Sequence, residues 1–147
     1  MMRFSEYDPA IAAPFIAQFE GCSLTAYRCP AGVLTIGYGH TGKDVYEGET
    51  ITQDEADALL ADDLTTFARQ IAPLVEVKIT EGQFIAMLSL AYNIGIGNFR
   101  RSSVLRLTNA GAKLQAAQSF LLWNRAGGQV LKGLVRRRKA ESREYLS

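Results

Sequence analysis

Apolar residues recur along this chain with two different periods, and the switch between them divides it. Asp8-Pro9 is a helix start, an N-cap followed by proline at the first helical position. The pattern is interrupted or restarted at Pro14, runs through Phe15, Ile16 and Phe19 to Glu20, and has Gly21 as its expected stop. From Ser23 to His40 the character changes: Leu24, Ala26 and Tyr27 lead into the turn Cys29-Pro30-Ala31-Gly32. Val33-Leu34-Thr35-Ile36 is then β-branched and strand-like, which predicts a small antiparallel sheet. Gly37, Gly39 and Gly42 are expected to loosen the chain after it.

Helical spacing returns at Thr52. Thr52-x-x-Glu55 is a capping box, and Ala56, Leu59, Leu60, Leu64, Phe67 and Ile71 repeat at helical spacing. Thr80-x-x-Gln83 repeats the device ahead of Phe84, Met87, Leu88 and Ala91. Shorter helices are expected near Ser103–Asn109, Lys113–Trp123 and Gly133–Leu146. The fold class is α+β. A small N-terminal lobe with an antiparallel sheet (about residues 1–55) is joined by a long helix to a helical C-terminal lobe (56–147).

At 147 residues one domain is the expectation, and 48% hydrophobic with 21% charged residues fits a globular chain. A formal charge of +1 argues against a nucleic-acid protein that relies on overall basicity. The distribution is more informative. Between Lys43 and Glu76 nine acids face only Lys43 and Arg69, whereas after Trp123 seven bases face Glu141 and Glu144. A basic C-terminal helix suggests an anionic partner surface, such as a membrane or lipopolysaccharide; a plain solvated helix is the alternative. The opening MMRFSEYDPA has one base and no apolar core, so no secretory signal is expected. The longest apolar stretch, Phe84 to Gly97, falls short of the roughly 20 residues that span a bilayer. Two cysteines make no disulfide framework, so synthesis in a cytoplasm is the expectation.

Candidate chemistry centres on Glu20. Hydrolysis of a glycosidic bond needs a proton donor for the leaving oxygen and a group on the opposite face. A carboxylic acid among apolar residues can stay protonated near neutrality. Glu20 ends an apolar helix beside a sheet that can wall a cleft, although most glutamates at helix ends simply face water.

The run FEGCSLTAYRCPAGVLTIGYGHT resembles the active-site region of the phage-type lysozymes, glycoside hydrolase family 24. Its spacing E-x8-[DC]-x5-T falls on Glu20, Cys29 and Thr35. The similarity continues through ITQDEADALLADDL and QFIAMLSLAYNIGIGNFRRSSVLRLTNAG, then Trp123 and GLVRRRKAE, and so covers nearly the whole chain. The resemblance implies a lysozyme-like fold and an endolysin that lyses a host cell. It would hydrolyse the β-1,4 bond between N-acetylmuramic acid and N-acetylglucosamine in peptidoglycan, with no metal or cofactor. Glu20 would be the general acid, and Cys29 with Thr35 would hold and activate water on the far side of the sugar. Asn93 resembles an amide-bearing position near the scissile bond, Tyr92 offers a ring face and hydroxyl to sugar or is a core aromatic, and Thr41 and Ser102 match weaker cleft positions. A monomer acting in the periplasm after holin-type release is expected, with no nucleic-acid partner.

Cys29 departs from the commoner pattern, in which aspartate stands there. An unperturbed thiol is only a few per cent ionised near neutrality. It could orient water, act as a nucleophile through a covalent intermediate, or be an inert packing residue. Cys22 is expected to be a small buried apolar residue, with pairing to Cys29 under oxidation as the alternative. His40, the only histidine, is expected to be structural, with Asp63 as partner. A lytic transglycosylase, which needs the acid alone, and a catalytically weakened wall- or membrane-binding module are the competing functions.

Overall fold

The computed structural model describes residues 1–147. The Asp8 carboxylate accepts from the Ala10 N–H at 3.0 Å and opens a 3₁₀ turn, Pro9–Ala12, which runs into α1, Ala13–Ala17. Pro14 sits in the first turn of α1, where a missing N–H costs nothing. The helix does not end on Gly21 as expected. The Phe19 and Glu20 N–H groups both donate to the Ile16 carbonyl, at 3.0 and 3.2 Å, so the last turn tightens onto one acceptor before the glycine is reached. Gly21 has no positive φ. Glu20 thus lies on a tightened turn just past α1, anchored through buried Ile16.

The sheet has order β1-β2-β3, all antiparallel: β1 Ser23–Arg28, β2 Leu34–Gly37, β3 His40–Thr41. Its first hairpin closes on the predicted turn, where the Gly32 N–H donates to the Cys29 carbonyl at 2.8 Å and Gly32 takes a φ of 80°. The second is a tight turn rather than a loosened segment. Tyr38-Gly39 reverses the chain with Gly37 and Gly39 both at positive φ, and Thr35 pairs with Thr41 and Ile36 with His40.

α2, Gln53–Ile71, begins at the predicted box: the Glu55 N–H donates to Thr52 Oγ1 and the Thr52 N–H to Glu55 Oε1, each at 3.1 Å. It spans both lobes. Near its start Ala56 closes against Gly37 of β2, and further along Phe67 meets Tyr92 of the next helix, ring centroids 5.2 Å apart. That helix, α3 (Glu81–Ile94), has its own capping box and is buried continuously from Gly82 to Ala91, which makes it the axis of the core. α4 (Ile96–Arg100), α5 (Ser103–Asn109) and α6 (Lys113–Ser119) wrap the core, and a 3₁₀ turn, Phe120–Leu122, completes the expected helical stretch. An exposed hairpin follows, β4 Arg125–Ala126 and β5 Gln129–Val130, turned at Gly127-Gly128.

α7, Lys132–Leu146, packs along α3. A Cβ on Gly82 would collide with the Glu144 carbonyl, so the two helices approach where one has no side chain. The expected solvated basic helix is only half of what α7 is. Arg137, Arg138, Glu141 and Tyr145 are buried, while Lys132, Arg136, Lys139 and Arg143 are exposed.

Candidate active site

Between the lobes lies a cleft of about 290 Å³ lined by Glu20, Gly39, Thr41, Asp63, Phe67, Tyr92 and Asn93. Glu20 reaches it from the turn after α1, with its side chain 21% exposed. Gly39 borders the carboxylate: a Cβ there would sit 4.0 Å from Glu20 Oε2 and 3.8 Å from the Tyr92 hydroxyl. The bare glycine leaves that approach open. Tyr92 comes from the last turns of α3 and donates to the Tyr38 carbonyl at 2.8 Å, which ties the helical lobe to the β2–β3 turn. Burial pushes its phenol well above the usual range, so the hydroxyl stays a donor. Asn93, next along α3, is exposed in the same cleft.

Arg137 is the residue that sequence reasoning missed. Its Nη1 donates to Glu20 Oε1 at 2.7 Å, and the guanidinium lies 5.5 Å from the Phe19 ring centroid. Inside a run of four bases it looked like part of a charged surface. The available signal was spacing: Arg137, Arg138, Glu141 and Tyr145 fall on one helical face, and a carboxylate and an aromatic in that register suit a buried stripe.

Cys29 and Thr35 form a second group, one strand away. Cys29 starts the β1–β2 turn and its N–H donates to the Val33 carbonyl at 3.0 Å. Thr35 is buried, donates from Oγ1 to the same carbonyl at 3.0 Å, and pairs with Thr41 of the cleft wall. Hydrogen bonding from the Val33 backbone, then that of Ala31, lowers the Cys29 thiol pKa against a smaller effect of burial; the Thr35 hydroxyl adds to the lowering. A larger share of thiolate near neutrality follows. Both cysteines are free, and Cys22, expected to be buried, is exposed because it lies in the link between α1 and β1, outside the core.

Ser102 is not in the cleft. It is buried as the N-cap of α5, accepting from the Leu105 N–H at 3.2 Å and donating to the Phe99 carbonyl at 2.7 Å. Both of its hydrogen-bonding functions are spent on backbone. His40 bridges Asp63 through Nδ1 at 2.8 Å and Asp44 through Nε2 at 3.0 Å. Burial lowers its pKa, but the hydrogen bonds it donates to the Asp63 and Asp44 carboxylates outweigh that and leave it raised. The pair with Asp63, the partner expected of it, joins β3 to α2.

The sequence signature described as phage lysozyme matches residues 17–141. The chain is 41% identical to an endolysin of Bacillus phage B103 over 90% of its own length, and spans about half (51%) of that relative. It is 47% identical to a SAR-endolysin of bacteriophage PS119, over 83% of this chain and 73% of that one. Among solved structures, the muramidase domain of SpmX from Asticaccaulis excentricus superposes with a TM-score of 0.87 at 39% identity, covering 93% of this chain and 95% of that domain. With its three-stranded sheet, long α2 and helical lobe around α3, the chain belongs to the phage lysozyme family.

Proposed function

We propose that this chain is an endolysin, a glycoside hydrolase that cuts the β-1,4 bond between N-acetylmuramic acid and N-acetylglucosamine in bacterial peptidoglycan. The observation that carries the reading is a carboxyl group, Glu20, half-open to an interlobe cleft beside a glycine that leaves its approach clear. Glu20 donates its proton to the leaving glycosidic oxygen. Cys29 and Thr35 hold water on the opposite face of the sugar, and attack from that side inverts the anomeric centre. Tyr92, Asn93 and Thr41 contact the glycan around the scissile bond. The whole chain acts as one two-lobed domain, and as a monomer.

The exposed face of α7 supports adhesion to the anionic wall or membrane surface. Lys132, Arg136, Lys139 and Arg143 rim a shallow depression with Val130 and Val135. No helix is long and apolar enough to cross a membrane. The substrate is periplasmic, and holin-type release from the host cytoplasm would give access to it.

The direct test is clearing of outer-membrane-permeabilised cells. Glu20→Gln is nearly isosteric and should lower the rate by about 10²–10⁴ with the fold intact. A folded variant that keeps more than about a tenth of wild-type clearing would remove Glu20 from the mechanism.

A further inference from the structure

Glu141 is a fully buried carboxylate without a part in the mechanism above. Its Oε2 accepts from the Ser89 hydroxyl of α3, from Arg137 Nε at 3.2 Å and from Arg138 Nη2 at 3.2 Å. Its Oε1 lies 2.7 Å from Arg138 Nε, an ion pair whose N–H is not aligned for a hydrogen bond. Arg137 Nη2 also donates to the Ser89 carbonyl at 3.1 Å, and Arg138 Nη1 to the Trp123 carbonyl at 3.4 Å. The arrangement ends at the cleft, where Arg137 Nη1 holds Glu20.

We propose that Glu141 is a positioning residue for Glu20: it fixes Arg137 against α3 and opposes that arginine's charge, so that Arg137 holds the Glu20 carboxyl at the cleft. This rests on the reading of Glu20 as general acid. Arg137 Nη1 takes one Glu20 oxygen at 2.7 Å, while Oε2 lies on the open Gly39 side of the cleft. Counted together, Arg137, Arg138 and Glu141 present one net positive charge to Glu20; without Glu141 they would present two.

The other titratable groups lining the cleft are Tyr92 and Asp63. Tyr92 from α3 is neutral, and Asp63 on the α2 side of the cleft is engaged with His40, which Asp44 also holds. Glu141 itself is faced by Arg137 and Arg138 from its own helix and by Ser89 from α3. Burial pushes its carboxyl pKa up, and Arg138 first, then Arg137 and Ser89, offset only part of that. Between two buried guanidiniums the ionised carboxylate is the form that leaves least charge uncompensated.

The test is the pH profile of purified-peptidoglycan hydrolysis at fixed ionic strength, in variants that leave the His40 cluster untouched. Glu141→Gln should move the alkaline limb of activity down by about one pH unit. Arg138→Met, which removes one positive charge, should move it up. Glu141→Gln combined with Arg138→Met restores the charge count and should return the limb to the wild-type position. Should Glu141→Gln fail to fold, Arg138→Met alone still carries the test. Limbs that stay in place, or losses equal at every pH, would make the cluster merely structural and overturn the proposal. Clearing by Glu20→Gln, run alongside, tells that outcome apart from an error in the assignment of the acid itself.

Discussion

The two groups of candidate residues are held by different physics. Cys29 and Thr35 stand on a short hairpin whose geometry comes from local hydrogen bonds: a turn closed at 2.8 Å, and a Val33 carbonyl shared by the Cys29 N–H and the Thr35 hydroxyl. Glu20 stands instead on a tightened helix end clamped by Arg137, which is buried between α7 and α3 and held by Glu141 and Ser89. The hairpin is mostly exposed, the clamp almost wholly buried. Chemistry on the hairpin can therefore be altered with little effect on the fold, whereas the clamp couples the acid to the stability of the helical lobe.

Removal of the clamp should have the largest effect. Arg137→Met leaves Glu141 short of one partner inside the core and frees the Glu20 side chain. Breaking a buried ion pair by removing one member costs about 3–5 kcal/mol. The lower end is expected here, because Arg138 and Ser89 still hold Glu141. A urea midpoint that falls with an unchanged slope would show it. A midpoint near wild type would mean that the clamp is no part of the lobe's stability.

Cys29 should behave in the opposite way, with an effect on activity and almost none on the midpoint. Surface changes of this kind stay within about 0.5 kcal/mol. If the thiol orients water, Cys29→Asp keeps or raises the rate and Cys29→Ser retains part of it, since a hydroxyl can also hold water. The sugar released first would then be the α anomer, read by NMR before mutarotation. A β anomer with an inactive Cys29→Ser would instead make the lowered thiol the nucleophile of a double displacement.

The contrast also explains what could be read from the chain alone. Thr52 and Thr80 announce their helices because a capping box is complete within four residues. The Cys29–Gly32 turn was legible for the same reason. Arg137 and Glu141 were not, since their meaning depends on α3 lying 48 and 52 residues back along the chain. Ser102 was assigned to the cleft by its place in a motif, while its side chain is taken up by the start of α5. The β4–β5 hairpin went unread, although Gly127-Gly128 between short segments is a hairpin signal. Gly21 misled in the other direction: a glycine after an apolar helix suggests a left-handed stop, but the chain turned earlier on the Ile16 carbonyl.

A smaller effect is expected where β3 meets α2. His40 has a raised pKa in the folded state, so its protonated form adds stability that is fully present below its unfolded pKa of about 6.5. That contribution is lost as pH rises through the folded value. Asp44, lowered by His40 above all, acts in the opposite sense, and its contribution is lost only in acid. Thermal melts should therefore show the wild type losing midpoint between neutral and mildly alkaline pH, and His40→Gln should flatten that slope. An unchanged slope would place the pH dependence elsewhere.

The smallest effect belongs to the exposed face of α7, where nothing is buried to lose. Arg136 and Lys139 are exposed, and their attraction to an anionic wall acts through solvent. At about 0.1 M salt such charges are screened beyond roughly 10 Å, so adhesion should weaken steeply over the physiological range of ionic strength. Replacing both residues with Gln should leave hydrolysis of a short soluble oligosaccharide unchanged, because the cleft that holds Glu20 lies elsewhere. Clearing of whole walls should fall a few-fold at low salt, and the difference from wild type should vanish as salt is raised. The paired measurement matters because the neighbouring Arg137 and Arg138 are buried and a disturbed helix would strike both substrates alike. Equal losses on soluble and insoluble substrates would mean damage to the clamp rather than loss of adhesion, and would remove the basic face from the function of the protein.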